Sequence, residues 1–183
     1  MAKKAVVFLA DGFEEVEAVT PIDYLRRAGV ELTTVSISGN RTVTGSHKLP
    51  VTADRILAET GGTYDALLLP GGGPGAENLA ACAELGERLR EQAASGRIVA
   101  AICASPAVVL APLGLIAGRR FTCYPGMEKG VSGGKWSDER VVVDGNIVTS
   151  RGAGTAAEWA IAVIGLLLSP AEGEKLARAV VLR

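Results

Sequence analysis

RIVAAICASPAVV, residues Arg97 to Val109, reads as a buried strand that ends on a cysteine and turns at once into a helix. Ile98 to Ile102 is an apolar run of strand length, and Ala104-Ser105-Pro106 supplies helix-start signals. Cys103 falls at the turn between them. A thiol there lies near the unpaired N–H groups and positive dipole end of the helix, which favour thiolate over thiol and make a nucleophile at neutral pH. Free cysteine is also among the most buried residue types, so a small core residue accounts for this segment equally well. The balance shifts on two other stretches, an acidic segment near the N-terminus and a glycine-rich loop between.

The same strand-turn-helix pattern recurs along the chain. Lys4 to Ala10 (KAVVFLA) is a near-continuous apolar strand, followed by Asp11-Gly12 and an amphipathic helix from Glu14 to Ala28 that Gly29 stops. Val30 to Ile37 is β-rich. Thr42 to Val51, with His47, reads as a small hairpin or irregular excursion, and Arg55 to Glu59 as a short helix. Tyr64 to Leu69 is a further buried strand that runs into Pro70-Gly71-Gly72-Gly73-Pro74-Gly75. Ala76 to Ala94 then reads as helix, broken near Cys82. Phe121 to Tyr124 is a short strand and Pro125 to Lys135 a glycine-rich surface loop. Asp144-Gly145 is a strong hairpin signal between Arg140–Val143 and Asn146–Ser150. Thr155 to Leu168 and Pro170 to Val180 are helices. Apolar strands alternating with helices predict an α/β fold, a mostly parallel sheet covered on both faces, with sites at the carboxyl ends of its strands. Asp11 to Glu17, Gly71 to Gly75 and Cys103 all fall at such ends.

Composition narrows the function classes. With 183 residues, 48% hydrophobic and 21% charged, the chain has the size and make-up of one globular domain, residues 1–183. The formal charge of −1 gives no general field for nucleic acid or an anionic membrane surface. No stretch approaches the ~20 apolar residues of a membrane helix, and the N-terminal apolar run ends in acidic residues without a cleavage pattern. A cytoplasmic location is expected. Cys82, Cys103 and Cys123 are odd in number and widely spaced, which argues against a disulfide framework. They also lack the paired spacing of a structural zinc site, so no structural metal is expected.

The glycine loop, Gly71 to Ala76, formally matches a dinucleotide fingerprint, but it does not follow the first strand, and the place of the ribose-binding acid ~20 positions on is taken by Ile102-Cys103. Consecutive glycines at a strand end also let backbone N–H groups converge on a developing negative charge. Glu14, Glu15 and Glu17 complement the dipole at the start of the first helix. One of them, lodged near a cysteine in a water-poor site, would have a raised pKa and serve as proton donor or acceptor. The residues by themselves do not choose among the three. His47, in a polar segment away from every expected strand end, reads as a surface residue, which argues against a Cys-His hydrolase. Arg26-Arg27 reads as a solvated helix end, and Trp136 and Trp159 as packing or interface residues.

Taken together, ADGFEEVEA, YLRRAG, YDALLLPGGGPGAENL, IVAAICASP and TSRGAGT, in this order, closely resemble the ThiJ/PfpI superfamily, in the branch of the Parkinson-disease protein DJ-one and its bacterial relatives. The resemblance covers nearly the whole chain. It implies a flavodoxin-like three-layer α/β sandwich, a cysteine on a nucleophile elbow, and a homodimer formed through the first helix. By motif position it assigns the nucleophile to Cys103, a protonated carboxylic partner to Glu17, and backbone donors to Gly72 and Ala104. The implied activity is cofactor-free conversion of methylglyoxal or glyoxal to the hydroxy acid, with removal of early glyoxal adducts from glycated proteins, so the expected partners are small aldehydes or ketoaldehydes. The resemblance implies, as the alternative, an oxidative-stress sensor or chaperone acting through oxidation of Cys103. Two positions depart from the human pattern: Tyr124 stands where that pattern has histidine, and Ala153 where it has proline. Cys123, beside Tyr124, reads either as a resolving thiol or as a buried structural residue.

Overall fold

The computed structural model describes residues 2–183. In chain order its elements are β1 (Lys4–Leu9), α1 (Glu15–Arg27), β2 (Glu31–Ser36), β3 (Thr42–Thr44), β4 (Pro50–Thr52), β5 (Arg55–Ile56), β6 (Ala66–Leu69), α2 (Gly73–Ala81), α3 (Ala83–Ala94) and β7 (Ile98–Ile102). There follow β8 (Arg120–Phe121), β9 (Lys135–Trp136), β10 (Val141–Asp144), β11 (Ile147–Ser150), α4 (Ala156–Leu167) and α5 (Pro170–Ala179). Seven strands form one sheet in the order β10-β11-β7-β6-β1-β2-β5, all parallel except β10, which pairs antiparallel with β11. The run β2-β1-β6-β7-β11 is the flavodoxin-like order, in which the chain starts near the middle and winds outward in both directions.

The apolar runs form strands because both of their faces are covered. Side chains alternate across a strand, and along β1 Ala5, Val7 and Leu9 enter one core while Val6, Phe8 and Ala10 enter the other. The first core is closed by Ala18 and Leu25 of α1 and by Trp159, Val163 and Ile164 of α4. The second is closed by Leu79 of α2, by Leu85 and Leu89 of α3, and by Val109 and Leu110. Each fully buried side chain of this size stabilises the fold by roughly 1.5–3 kcal/mol, so neither face tolerates a register slip.

Most expected elements are present, including the hairpin at Asp144-Gly145 and the helix break at Cys82, whose backbone is extended. Three differ. Arg55–Glu59 is not a helix: Arg55 and Ile56 pair with Val35 and Ser36 as an edge strand before a single 3-10 turn, because the free edge of β2 offers hydrogen bonds that a short isolated helix cannot match. The helix after the glycine loop starts at Gly73, since Pro74 suits a first-turn position. The segment after Cys103 is a short wide π turn, Pro106–Leu110. No helix of the described residues is long and apolar enough to cross a membrane.

Candidate active site

The strand order reverses between β1 and β6, and the loops leaving the carboxyl ends of β1, β6 and β7 meet there. Main-chain bonds fasten them. The Glu14 N–H donates to the Gly71 carbonyl at 3.0 Å, and the Gly75 N–H to Gly12 at 3.1 Å. The buried Ser105 hydroxyl donates to the Pro70 carbonyl at 2.6 Å, tying the glycine loop to the turn at Cys103. That turn is held on its other side by Cys103 N–H to Ser150 at 3.0 Å and by Tyr124 N–H to the Cys103 carbonyl at 2.8 Å.

The three glutamates have separate tasks. Glu14 caps α1, its carboxylate accepting from the Glu17 N–H at 2.8 Å. Glu15 turns outward to the β3–β4 hairpin and accepts from the His47 N–H at 2.6 Å and from the Ser46 hydroxyl at 3.2 Å. Its carboxyl is held at about 2 because, against the opposing effect of burial, His47 hydrogen-bonds it from both ring and backbone. Glu17 points inward and is only 1% exposed. Its Oε2 accepts from the Gly71 N–H at 2.9 Å. Burial pushes the Glu17 carboxyl up to about 7, partly offset by hydrogen bonds from Cys103, Gly71 and Ala153.

Cys103 sits with φ 65°, in the left-handed region that a non-glycine residue adopts only at a cost of order 1–3 kcal/mol. The surrounding bonds impose that conformation and bring the thiol beside Glu17 and the N–H groups of Gly72 and Ala104, all three of which act on its ionisation. A helix dipole, expected from the sequence to favour thiolate, does not govern the thiol's ionisation. Burial and the Glu17 charge push Cys103 up to about 12, outweighing the two N–H donors, and the π turn that follows is too short for a strong dipole. The two groups therefore do not ionise together: as pH rises through about 7 the pair passes from two protons to one, and the second stays because two adjacent buried anions repel.

Gly71, which the sequence offers only as one of a run of strand-end glycines, has a role of its own. A Cβ there would stand 2.5 Å from the Cys103 Cβ and 2.7 Å from Glu17 Oε2, so only glycine lets the thiol and the carboxyl approach. Its place at the end of β6 was visible in the sequence, but the contact joins residues far apart along the chain. Gly72 has φ +87°, and a side chain there would collide with the Gly12 carbonyl. These close approaches use the glycines to pack the loop against Gly12 and Phe13, where a dinucleotide phosphate would otherwise need room.

His47 is exposed, as expected, but it is not remote from the first strand end: its Nδ1 lies 2.7 Å from Glu15, next to the helix that carries Glu17. Glu14, Glu15 and His47 bring ligand-type atoms within 4.8 Å of one another, although the Glu15 oxygens already accept from Ser46 and His47. Arg26 and Arg27 pair on the surface with Asp54 and Asp23. Trp159 is buried in the first core. Cys123 is fully buried in the second core, and burial pushes its thiol up to about 11, whereas Cys103 packs against the first. Tyr124 and Ala153 line a cleft of about 420 Å³ beside Glu17.

Comparison with known proteins gives the family and the fold. Residues 3–166 match the model of the DJ-1/PfpI family. The chain is 40% identical over 171 residues to the Parkinson disease protein 7 homolog of Danio rerio, covering 91% of this chain and 90% of that protein. It is 35% identical to the glutathione-independent glyoxalase DJR-1.2 of Caenorhabditis elegans, over 95% of this chain and 94% of that one. With protein DJ-1 homolog B of Arabidopsis thaliana it shares 38% identity but spans 42% of that longer protein. The crystal structure of Drosophila melanogaster DJ-1beta superposes with a TM-score of 0.95 at 36% identity, covering 99% of this chain and 98% of that one. Toxoplasma gondii DJ-1, in an oxidized form, gives 0.95 at 38% identity, with 98% of each chain covered. A buried acid and a strand-end cysteine at the switch point of a flavodoxin-like sheet thus define the class of the molecule. The chain belongs to the DJ-1/PfpI family.

Proposed function

We propose that this protein is a cofactor-free glyoxalase, with Cys103 as nucleophile on the elbow after β7 and Glu17 as proton shuttle. The observation that carries the reading is the buried Glu17 carboxyl beside the Cys103 thiol, the two flanking Gly71, with the Gly72 and Ala104 N–H groups next to the sulfur. In the proposed reaction Glu17 takes the thiol proton as sulfur adds to the aldehyde carbon of methylglyoxal. The new oxyanion forms beside the Gly72 and Ala104 donors, which stabilise charge that develops only as the bond forms. Glu17 protonates that oxygen and then moves the former aldehyde proton to the neighbouring carbon through an enediol, leaving a hydroxy-thioester. Water hydrolyses the thioester, releasing lactate and restoring the thiol; overall one methylglyoxal and one water give one lactic acid. The same addition underlies a deglycase-like action on glycated proteins. The glyoxalase name of the Caenorhabditis relative supports the class.

The test is lactate formation from methylglyoxal, measured by chromatography in buffer free of amines, for wild type, Cys103→Ser and Glu17→Gln. Catalytic lactate from wild type and its loss in both variants is the expected result. No lactate above background from wild type would remove the enzyme reading.

A second reading has its own support. One solved relative is described as oxidized, and a lone reactive thiol beside a carboxylic acid suits a redox-responsive stress protein or chaperone. We place the whole chain, as one cytoplasmic domain, in a homodimer through the outer face of α1, where Val16 (48% exposed), Val19 (43%) and nearby Leu49 (50%) leave apolar surface uncovered. Light scattering of Val19→Glu checks this, a monomeric mass being the expected outcome.

A further inference from the structure

The cleft beside Glu17 is lined by Tyr124, Arg140, Arg151, Gly152, Ala153 and Thr155, among others. It adjoins the acid of the reacting pair. A Cβ on Gly152 would stand 3.8 Å from Glu17 Oε1 and 3.6 Å from the Tyr124 ring, and Tyr124 N–H bonds the Cys103 carbonyl at 2.8 Å. Its two cations are not equivalent. The Arg140 guanidinium holds both carboxylate oxygens of Glu158, at 3.0 and 2.8 Å, and the Gly154 carbonyl at 2.7 Å. Arg140 is already matched in charge and geometry.

Arg151 is not. Its Nη1 donates to the Asp138 main-chain carbonyl at 2.6 Å, and among the described residues no carboxylate forms an ion pair with it. It is half-buried, so its charge is only partly solvated, and most of its five N–H donors are left for something else. An unmatched guanidinium in a cleft is suited to a planar carboxylate, which it grips through two parallel bonds. It also answers a specific difficulty. The Glu17–Cys103 pair bears a negative charge when it is competent to attack, and an anionic substrate would be repelled from it without a nearby cation.

We propose that the cleft selects α-oxoaldehydes that carry a carboxylate, with Arg151 binding that carboxylate while Cys103 attacks the aldehyde. The proposal rests on the glyoxalase reading and names its substrate class. The overall conversion adds one water to the dicarbonyl end and yields a hydroxy acid, leaving the distal carboxylate unchanged.

The experiment compares dioxopentanoate, whose aldehyde and ketone are separated from a carboxylate by two methylenes, with its neutral methyl ester. The expected kcat/KM ratio favours the acid, falls about tenfold or more in Arg151→Gln, chiefly through KM, and recovers in part in Arg151→Lys, which keeps the charge. A ratio that favours the ester, or one that Arg151→Gln leaves unchanged, overturns the proposal. If neither compound is turned over, the glyoxalase reading fails and the carboxylate site is read separately, by protection of Cys103 from iodoacetamide. Glyoxylate protecting better than glyoxal in wild type, and not in Arg151→Gln, would uphold the anion site; equal protection would overturn it.

Discussion

The Gly71 N–H donates to the buried carboxyl oxygen Oε2 of Glu17 at 2.9 Å, joining the helix after the first strand to the loop after the middle one. This bond puts the acid where the thiol is. Gly71 also touches the cysteine turn, so one residue without a side chain sets the spacing of both reacting groups.

Substituting Gly71 with alanine therefore tests the site without removing either reacting group. The new methyl would stand 2.5 Å from the Cys103 Cβ and 3.0 Å from the Ile102 carbonyl, both on the rigid end of β7. Displacement of the reacting groups by about 1 Å lowers activity on the order of 100-fold. Steady-state kinetics on Gly71→Ala, with circular dichroism to verify folding, checks this; activity within a few-fold of wild type would contradict it.

The reactivity of Cys103 should follow the ionisation of Glu17. Below about 7 both groups are protonated; above it the carboxylate is available to take the thiol proton. Alkylation of Cys103 by iodoacetamide is expected to accelerate as pH rises through about 7. In Glu17→Gln that inflection should vanish, leaving a single rise at the thiol's own pKa, now below 12 because the neighbouring negative charge is gone.

Glu17 also makes stability depend on pH. Its carboxyl is raised from 4.5 to about 7 in the folded state, so the native protein binds the extra proton, and the stability it contributes is full below 4.5 and lost as pH rises through 7. The loss amounts to about 3 kcal/mol across that window, or roughly 6–12 °C in Tm for a chain of this size. Glu17→Gln should lack this fall, so its melting temperature relative to wild type climbs between pH 4.5 and 7 and is level on either side. A constant difference across the range would mean that Glu17 ionises as an ordinary surface carboxylate.

Mild peroxide should oxidise Cys103 without forming a Cys103–Cys123 disulfide. The two residues have adjoining backbones, since Tyr124 N–H bonds the Cys103 carbonyl, but Cys123 is fully buried in the second core and its thiol is pushed up to about 11. A thiol so protonated and shielded is a poor attacking group. Peptide mapping before and after peroxide should show sulfinate on Cys103 and no linked peptide; a linked pair would make Cys123 a resolving thiol.

Local pattern carried much of this protein. The apolar runs at β1, β6 and β7, the punctuation at Gly29, Cys82 and Asp144-Gly145, and the end of β7 at Cys103 are all set by near neighbours in sequence, which is why the α/β fold and the strand ends bearing the site were legible, although the helix expected after Cys103 is a single π turn. The choice of Glu17 over Glu14 and Glu15 came from the family pattern, since at the start of a helix the three are chemically alike. Only the tertiary structure separated them, by burying one against Gly71, leaving one to cap α1 and pairing one with His47. It also decided the state of Cys103: a dipole is a local quantity, but desolvation and the charge of a residue more than eighty positions away are not, and here they outweigh it. The unmatched charge of Arg151 belongs to the same kind of fact, because an arginine in a sequence has no partner until the fold brings one or withholds it.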